Sequence, residues 1–357
     1  MNNQTKYSAT SNLSQVSTSE HQGAAGTPPA GNTGVRITCD NGGESVVVDF
    51  LRMTVPGNLL QAGNLPDLLE ALFLDDVYDV LEFRRGGHLG WQESATFCDG
   101  GILAWGGQSD TGCVDLSASA LAWLESHDIP VIDWVRVLLV NGVRVTRLDL
   151  AIDDHKGHLT YKRVYDAVMA DELISKSRIV DEDKRIKGGG GWTLNFGSRT
   201  SESFGRIYDK DAEQRAKRGD DYSSAGPWVR VEVEFKGKRA AAAAAEWWAA
   251  GCRAEDAIGL IRSHIDFREV TADSNVSRRP LVGWWAAVMG EASRVWRVTI
   301  GQPGRTIEDV AKWLFTSVAG GLAAAFDHYG GDFVDAVIAR GHEHMSVRHR
   351  RLVMEAP

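Results

Sequence analysis

The chain has 357 residues and a formal net charge of -9, with 43% hydrophobic and 24% charged residues. That length suggests about two domains with ample apolar material for a core, and the negative balance argues against a protein that coats DNA by bulk charge, while leaving room for a local basic groove or acidic metal ligands. No apolar run is long enough to span a bilayer, no charged-then-apolar leader opens the chain, and Cys39, Cys98, Cys113 and Cys252 form no CxxC pair, so a cytoplasmic protein with reduced thiols and no membrane association is expected.

Residues 1–34 are dominated by small and polar side chains, which predicts a disordered tail. Ser45–Val55 is rich in β-branched residues and is stopped by Pro56-Gly57, as a strand would be. Pro66–Val80 has helical apolar spacing, with Pro66 suited to the first turn. Strand-like pieces at His88–Gln92, Ser94–Cys98, Gly101–Gly106 and Cys113–Leu116 run into a helix over Ser117–Ser126.

Val143–Asp154 is the strongest strand signal in the chain. Leu148, Leu150 and Ile152 share one face, and Asp149, Ala151 and Asp153 the other. Acids are poor strand formers, so the second face is either a wet edge or a site for a hard divalent cation. Thr160–Ala170 reads as a short helix capped by Thr160. The acidic stretch 181–185 reads as a polar connection to the glycine run 188–191; that run lacks the GK[ST] ending and following helix of a phosphate loop, so a flexible hairpin approach is expected.

Ser201–Lys210 reads as a strand entering a charged helix, with Arg206, Tyr208 and Lys210 on one face and Ile207 on the other. A phenol flanked by two cations suits a nucleophile that attacks phosphate, since the cations favour phenolate character. The plainer alternative is a cross-strand tyrosine with solvated neighbours. Trp228–Lys236 repeats the alternation, placing Trp228, Arg230, Glu232, Glu234 and Lys236 together.

Beyond Arg239 the pattern turns helical, over Ala240–Ala250, Glu255–His264, Trp284–Met289, Ile307–Ala319 and Gly331–Ala339. A boundary near Lys238 is expected, separating a domain over 35–238 from an α-helical region over 239–357 that ends in the basic Arg348–Arg351. The first of these divides into two similar halves, about 44–126 and 143–238, with Gly101–Gly107 echoing Gly191–Gly197 and Asp115 falling near Tyr208. The fold class expected is α+β, an antiparallel sheet built from two βαββ-like halves. His342 and His344 share no helical face, and His155 and His158 are candidates only for an accessory role.

Four motifs in order, Arg147–Asp153, Asn195–Arg199, Arg206–Lys210 and Trp228–Glu232, resemble the replication initiation factor family of filamentous phages, related to the rolling-circle Rep proteins of staphylococcal plasmids. The resemblance covers about residues 44 to 240. It implies an enzyme that nicks and joins DNA: a tyrosine, here Tyr208, attacks one strand at the origin, keeps the 5′ phosphate and leaves a 3′ hydroxyl. It also implies Mg²⁺ or Mn²⁺ held by Asp149, Asp153 and Glu232, with Glu234 as a fourth ligand or a base. Unlike the wider endonuclease superfamily, the chain has no His-hydrophobic-His strand, so the ligands would be carboxylates. Arg199, Arg230 and Lys236 are candidate contacts to origin DNA, and base stacking on Trp192 or Trp228 competes with core packing. Host helicase and polymerase, and a homodimer, are the partners implied; Tyr222 is the nearest second tyrosine. The competing readings are a non-catalytic nucleic-acid-binding sheet, a tyrosine recombinase and a hydrolase of small phosphoesters.

Overall fold

The computed structural model describes residues 34–38, 45–57, 81–97, 99–107, 111–127, 129–177, 179–184, 190–290, 295, 311 and 314–343. The expected N-terminal tail, the helix over 66–80 and the basic 348–351 stretch lie outside the described residues.

Two strands form the middle of one large antiparallel sheet. They are β2 (Ser45–Val55) and β7 (Arg144–Asp154), which pair with each other. On the β2 side follow β6 (Gly112–Ser117), β5 (Gly101–Trp105), β4 (Glu93–Phe97) and β3 (Glu82–Phe83). On the β7 side follow β12 (Val229–Lys236), β11 (Ser203–Asp209), β10 (Trp192–Phe196) and β9 (Val180–Lys184). Each side of the sheet therefore runs outward from its own central strand. The detailed echo is different: β6, which carries Asp115, holds the place in its half that β12 holds in the other, so Asp115 is not the counterpart of Tyr208. β1 (Val35–Thr38) pairs with β2, and a separate two-stranded sheet joins β8 (Leu173–Ser175) to β13 (Ile265–Phe267).

One sheet face is apolar. Leu51, Met53, Leu148, Leu150, Ile152, Val231, Val233, Phe235 and Ile207 alternate onto it and are buried. Helices cover this face: α1 (Ala118–Ser126), α2 (Val131–Val140), α3 (Tyr161–Met169), α5 (Gly237–Ala249), α6 (Ala254–Arg262) and α7 (Gly283–Met289) all send residues into its core. Ser117 accepts a hydrogen bond from the Ala120 N–H, and Thr160 one from the Arg163 N–H, capping α1 and α3. The expected boundary near Lys238 is thus no break in the core: Trp247 of α5 and Trp285 of α7 are fully buried in the same cluster as the strands. β13 also puts a strand inside the region expected to be all helical. The strand expected at His88–Gln92 is a loop.

The last described helices, α8 (Ala319–Tyr329) and α9 (Gly331–Glu343), bury none of their residues. Among the described residues no helix is long and apolar enough to cross a membrane.

Candidate active site

The second sheet face is polar, and alternation sorts its side chains into rows across the strands. One row runs Thr193, Tyr208, Arg230, Asp153. The next runs Asn195, Arg206, Glu232, Ala151. The third is Phe204, Glu234, Asp149, Phe50, and the fourth Lys236, Arg147, Arg52, Asp115.

Tyr208 lies near the end of β11 and is buried. Its hydroxyl donates to Oε2 of Glu232 at 3.0 Å, and Lys210 Nζ donates to the same hydroxyl at 3.3 Å. Arg206 Nη2 donates to Oε1 of Glu232 at 2.6 Å, and its guanidinium lies 4.9 Å from the centre of the Tyr208 ring. The three residues expected to share a face are therefore gathered. Lys210 reaches the tyrosine from a different element, however: it opens α4 (Lys210–Arg218), whose cap is Asp209, and Glu213 one turn on holds its ammonium at 2.5 Å.

The electrostatics at rest differ from the expectation that the cations favour phenolate. Burial, and then the Glu232 carboxylate, raise the Tyr208 pKa well above that of a free phenol, although Arg230 and Arg206 pull it down. Burial also lowers the Lys210 ammonium, with Arg230 adding to it and Asp49 and Glu213 opposing. The resting tyrosine is a protonated phenol with a carboxylate in place to take its proton.

The four acids expected as metal ligands do not meet at one point. Asp149 and Asp153 are four residues apart on one strand, so their Cα atoms are about 13 Å apart. Asp153 accepts from Arg230 Nε at 2.7 Å and Nη2 at 2.9 Å. Asp149 accepts from Arg147 at 3.0 and 2.6 Å, and Glu234 takes Arg147 at 2.7 Å and Lys236 at 2.5 Å. Burial pushes Asp149 up to about 8 against the pull of Arg147, and Glu232 and Glu234 add to the rise. Of the four acids, only Glu232 bonds to the tyrosine. Among the described residues no group of three or more His, Cys, Asp or Glu side chains could hold a metal ion.

Asp49 is an acid that the sequence reading passed over. It sits at a bulge in β2, where the register shifts between Val48 and Phe50. Arg230 donates to it, and its charge is felt together with those of Glu232, Lys210 and Arg206. Asp49 and Glu232 feel each other's charge, and Mg²⁺ is commonly held by one or two carboxylates and completed by water and substrate phosphate. The four-acid set is not formed among the described residues, and a cation on Glu232 and Asp49 would compete there with Arg206 and Arg230.

The expected DNA contacts separate. Arg230 has 0% exposure and is spent on Asp153 and Asp49, so it is a structural ion pair and not a DNA contact. Lys236 bonds the Arg199 carbonyl and Glu234. Arg199 is exposed, with its guanidinium 4.8 Å from the Phe204 ring. Trp192 packs against the apolar core and Tyr161 but is only partly buried and also lines the cavity beside Tyr208, whereas Trp228 is buried beside His155 and is no open stacking surface. The Tyr222 hydroxyl donates to Asp211 at 2.8 Å; burial and that carboxylate push its pKa up to about 12. His342 is exposed, and His344 lies outside the described residues.

Against known proteins, residues 143–338 match the model of the replication initiation factor family, just over half of the chain. A putative DNA relaxase, NicK, of Bacillus subtilis is 29% identical over 180 residues, 49% of this chain and 51% of that protein, so the chain spans about half the length of the curated relative it matches. A solved structure of a rolling circle replication initiator protein from Geobacillus stearothermophilus aligns over 71% of this chain and 99% of its own, with a TM-score of 0.55 and 22% identity, a likeness of fold. The family model spans β7, β11 and β12, the strands that carry Asp153, Tyr208 and Glu232, and the chain belongs to the replication initiation factor family.

Proposed function

We propose that the protein initiates rolling-circle DNA replication by nicking one strand at an origin through Tyr208. The observation that carries this reading is the Tyr208–Glu232 hydrogen bond of 3.0 Å with Arg206 and Lys210 beside it. A phenol at neutral pH is a weak nucleophile because its free pKa is about 10. Glu232 is placed to accept the proton as the phenolic oxygen bonds to phosphorus and the bond from phosphorus to the 3′ oxygen breaks. The leaving oxygen takes a proton from solvent and becomes a 3′ hydroxyl, the primer for a host polymerase once a host helicase has opened the duplex. Arg206 and Lys210 stabilise the charge that gathers on the phosphoryl oxygens.

Mg²⁺ or Mn²⁺ belongs to the same reading, with Glu232 and Asp49 as the residues that would hold it. When bound it would polarise a non-bridging oxygen of the scissile phosphate. Of the three expected DNA contacts, exposed Arg199 is the one suited to a backbone phosphate, a contact that positions DNA without reading it.

The test is covalent trapping on single-stranded origin DNA. The unaltered protein should form a 5′-phosphotyrosyl adduct with Mn²⁺ and none when EDTA is present from the start. Tyr208→Phe should form none while binding the same DNA with unchanged affinity. An adduct that persists in Tyr208→Phe removes the assignment. A non-catalytic binding protein would show binding that chelation does not alter and no adduct in any condition.

A further inference from the structure

Beside Tyr208 lies a cavity of about 370 Å³, within the size range of small-ligand sites. Its floor is the polar face of β9, β10 and β11, with Asp183, Thr193, Arg206 and Tyr208; Glu213 of α4 and Arg199 stand at its sides. Two cations there suit the backbone of a DNA strand passing the tyrosine. They do not account for Asp183. An acid on a DNA-facing surface repels phosphate, and an ionised carboxylate can only accept hydrogen bonds.

A second side chain fixes that carboxylate. Asn195, on the neighbouring strand, is 6% exposed and donates through Nδ2 to Oδ2 of Asp183 at 3.0 Å. Its own Oδ1 is buried with no hydrogen-bond partner among the described residues. A buried polar atom left unpaired is costly, and here the arrangement holds an acceptor steady on the cavity floor. What such an acceptor can grip is a group with N–H donors, and DNA presents these only on its bases. Guanine shows two adjacent donors on its pairing edge, N1–H and the 2-amino group, which match the two oxygens of one carboxylate. Thymine shows one N–H between two carbonyls, which the carboxylate repels.

We propose that this cavity seats one unpaired guanine of the strand adjoining the scissile phosphate, read by Asp183 and positioned by Asn195. The inference deepens the proposed nicking function by naming a specificity residue. Asp183 itself takes no part in the chemistry.

The experiment is fluorescence anisotropy with 5′-fluorescein-labelled eleven-nucleotide thymidine strands whose central base is guanine, hypoxanthine or thymine. It is run in EDTA at fixed low salt, so that no cleavage is needed. The guanine strand should bind on the order of tenfold more tightly than the other two, as expected for a bidentate base contact. Hypoxanthine keeps N1–H and lacks the amino group, so it reports the second bond alone. Asp183→Asn should erase the difference while leaving the all-thymidine strand bound at least as well, and an unchanged circular dichroism melt shows that the fold is retained. Equal binding of the three strands by the unaltered protein, or discrimination that survives Asp183→Asn, overturns the proposal. Adduct formation with Mn²⁺ is scored separately. A guanine preference without an adduct keeps the base site and removes the Tyr208 chemistry; an adduct without the preference does the reverse.

Discussion

The hydroxyl of Tyr208 donates to one oxygen of Glu232 at 3.0 Å, while the other oxygen of that carboxylate takes Arg206 at 2.6 Å. One acid thus orients the phenol and is itself held by a cation. Glu232→Gln keeps an acceptor for the phenol and removes the proton acceptor. Single-turnover adduct formation should fall about 10²- to 10⁴-fold, the usual worth of a positioned general base, with DNA affinity unchanged. Full adduct rates in Glu232→Gln would mean that the proton leaves by another route.

Burial, then Glu232, raise the Tyr208 pKa well above 10 in the folded state. The unfolded chain ionises this phenol first as pH rises, so the contribution to stability is complete below pH about 10 and is lost above it. Tyr208→Phe has no such proton to lose. Urea midpoints for the two proteins should therefore converge between pH 8 and pH 10.5, the parent falling faster. Parallel pH dependences would show that residue 208 contributes nothing to alkaline sensitivity.

Arg230 carries 0% exposure between Asp153 and Asp49. Arg230→Met leaves both acids without their shared cation and should cost about 3–5 kcal/mol of unfolding free energy, the range for breaking one side of a buried pair. Measured by urea unfolding, that loss should come with an unchanged salt slope for DNA binding, since Arg230 touches no phosphate. A slope reduced by about one would instead restore it as a DNA contact.

Gly205 stands three residues before the tyrosine on the core side of β11. A Cβ there would lie 2.4 Å from Ile265 Cδ1 and 2.9 Å from His264 Cδ2. Gly205→Val should overpack this contact and lower stability by about 1–3 kcal/mol. Adduct formation well below the melting temperature should change little, because the valine would face away from the hydroxyl of Tyr208. A melt equal to that of the parent would show that β13 yields without cost.

Much of the site could be read from alternation alone. β7, β11 and β12 keep period-two patterns, so the sequence pairs Asp149 with Asp153, Arg206 with Tyr208 and Glu232 with Glu234 on a face of each strand, and the strand pairing brings the three faces to one side of the sheet. Periodicity gives the face and not the neighbour. Which cation each acid takes depends on the strand order β7-β12-β11, and that order is a long-range property of the sheet. Asp49 was missed because the bulge at Val48/Phe50 breaks the alternation where it would have been counted. Asp183 was read as part of a loop because a strand of sequence VDEDK is built from poor strand formers; pairing with β10 overrides that propensity. Helix α2 escaped because its run VIDWVRVLLV has a strand-like composition.

The meeting of β2 and β7 at the middle of the sheet limits how the chain can be shortened. A fragment starting at residue 143 keeps the tyrosine, its carboxylate and both neighbouring cations. It also strips the ribbon of its inner half, leaving the long flank of β7 with unpaired amides and carbonyls, and such a flank recruits other chains. It loses Asp49 as well, so Arg230 would turn toward Asp153 alone. The second half carries Tyr208 and Glu232, and the first half pairs the inner flank of the strand that their own half is built on.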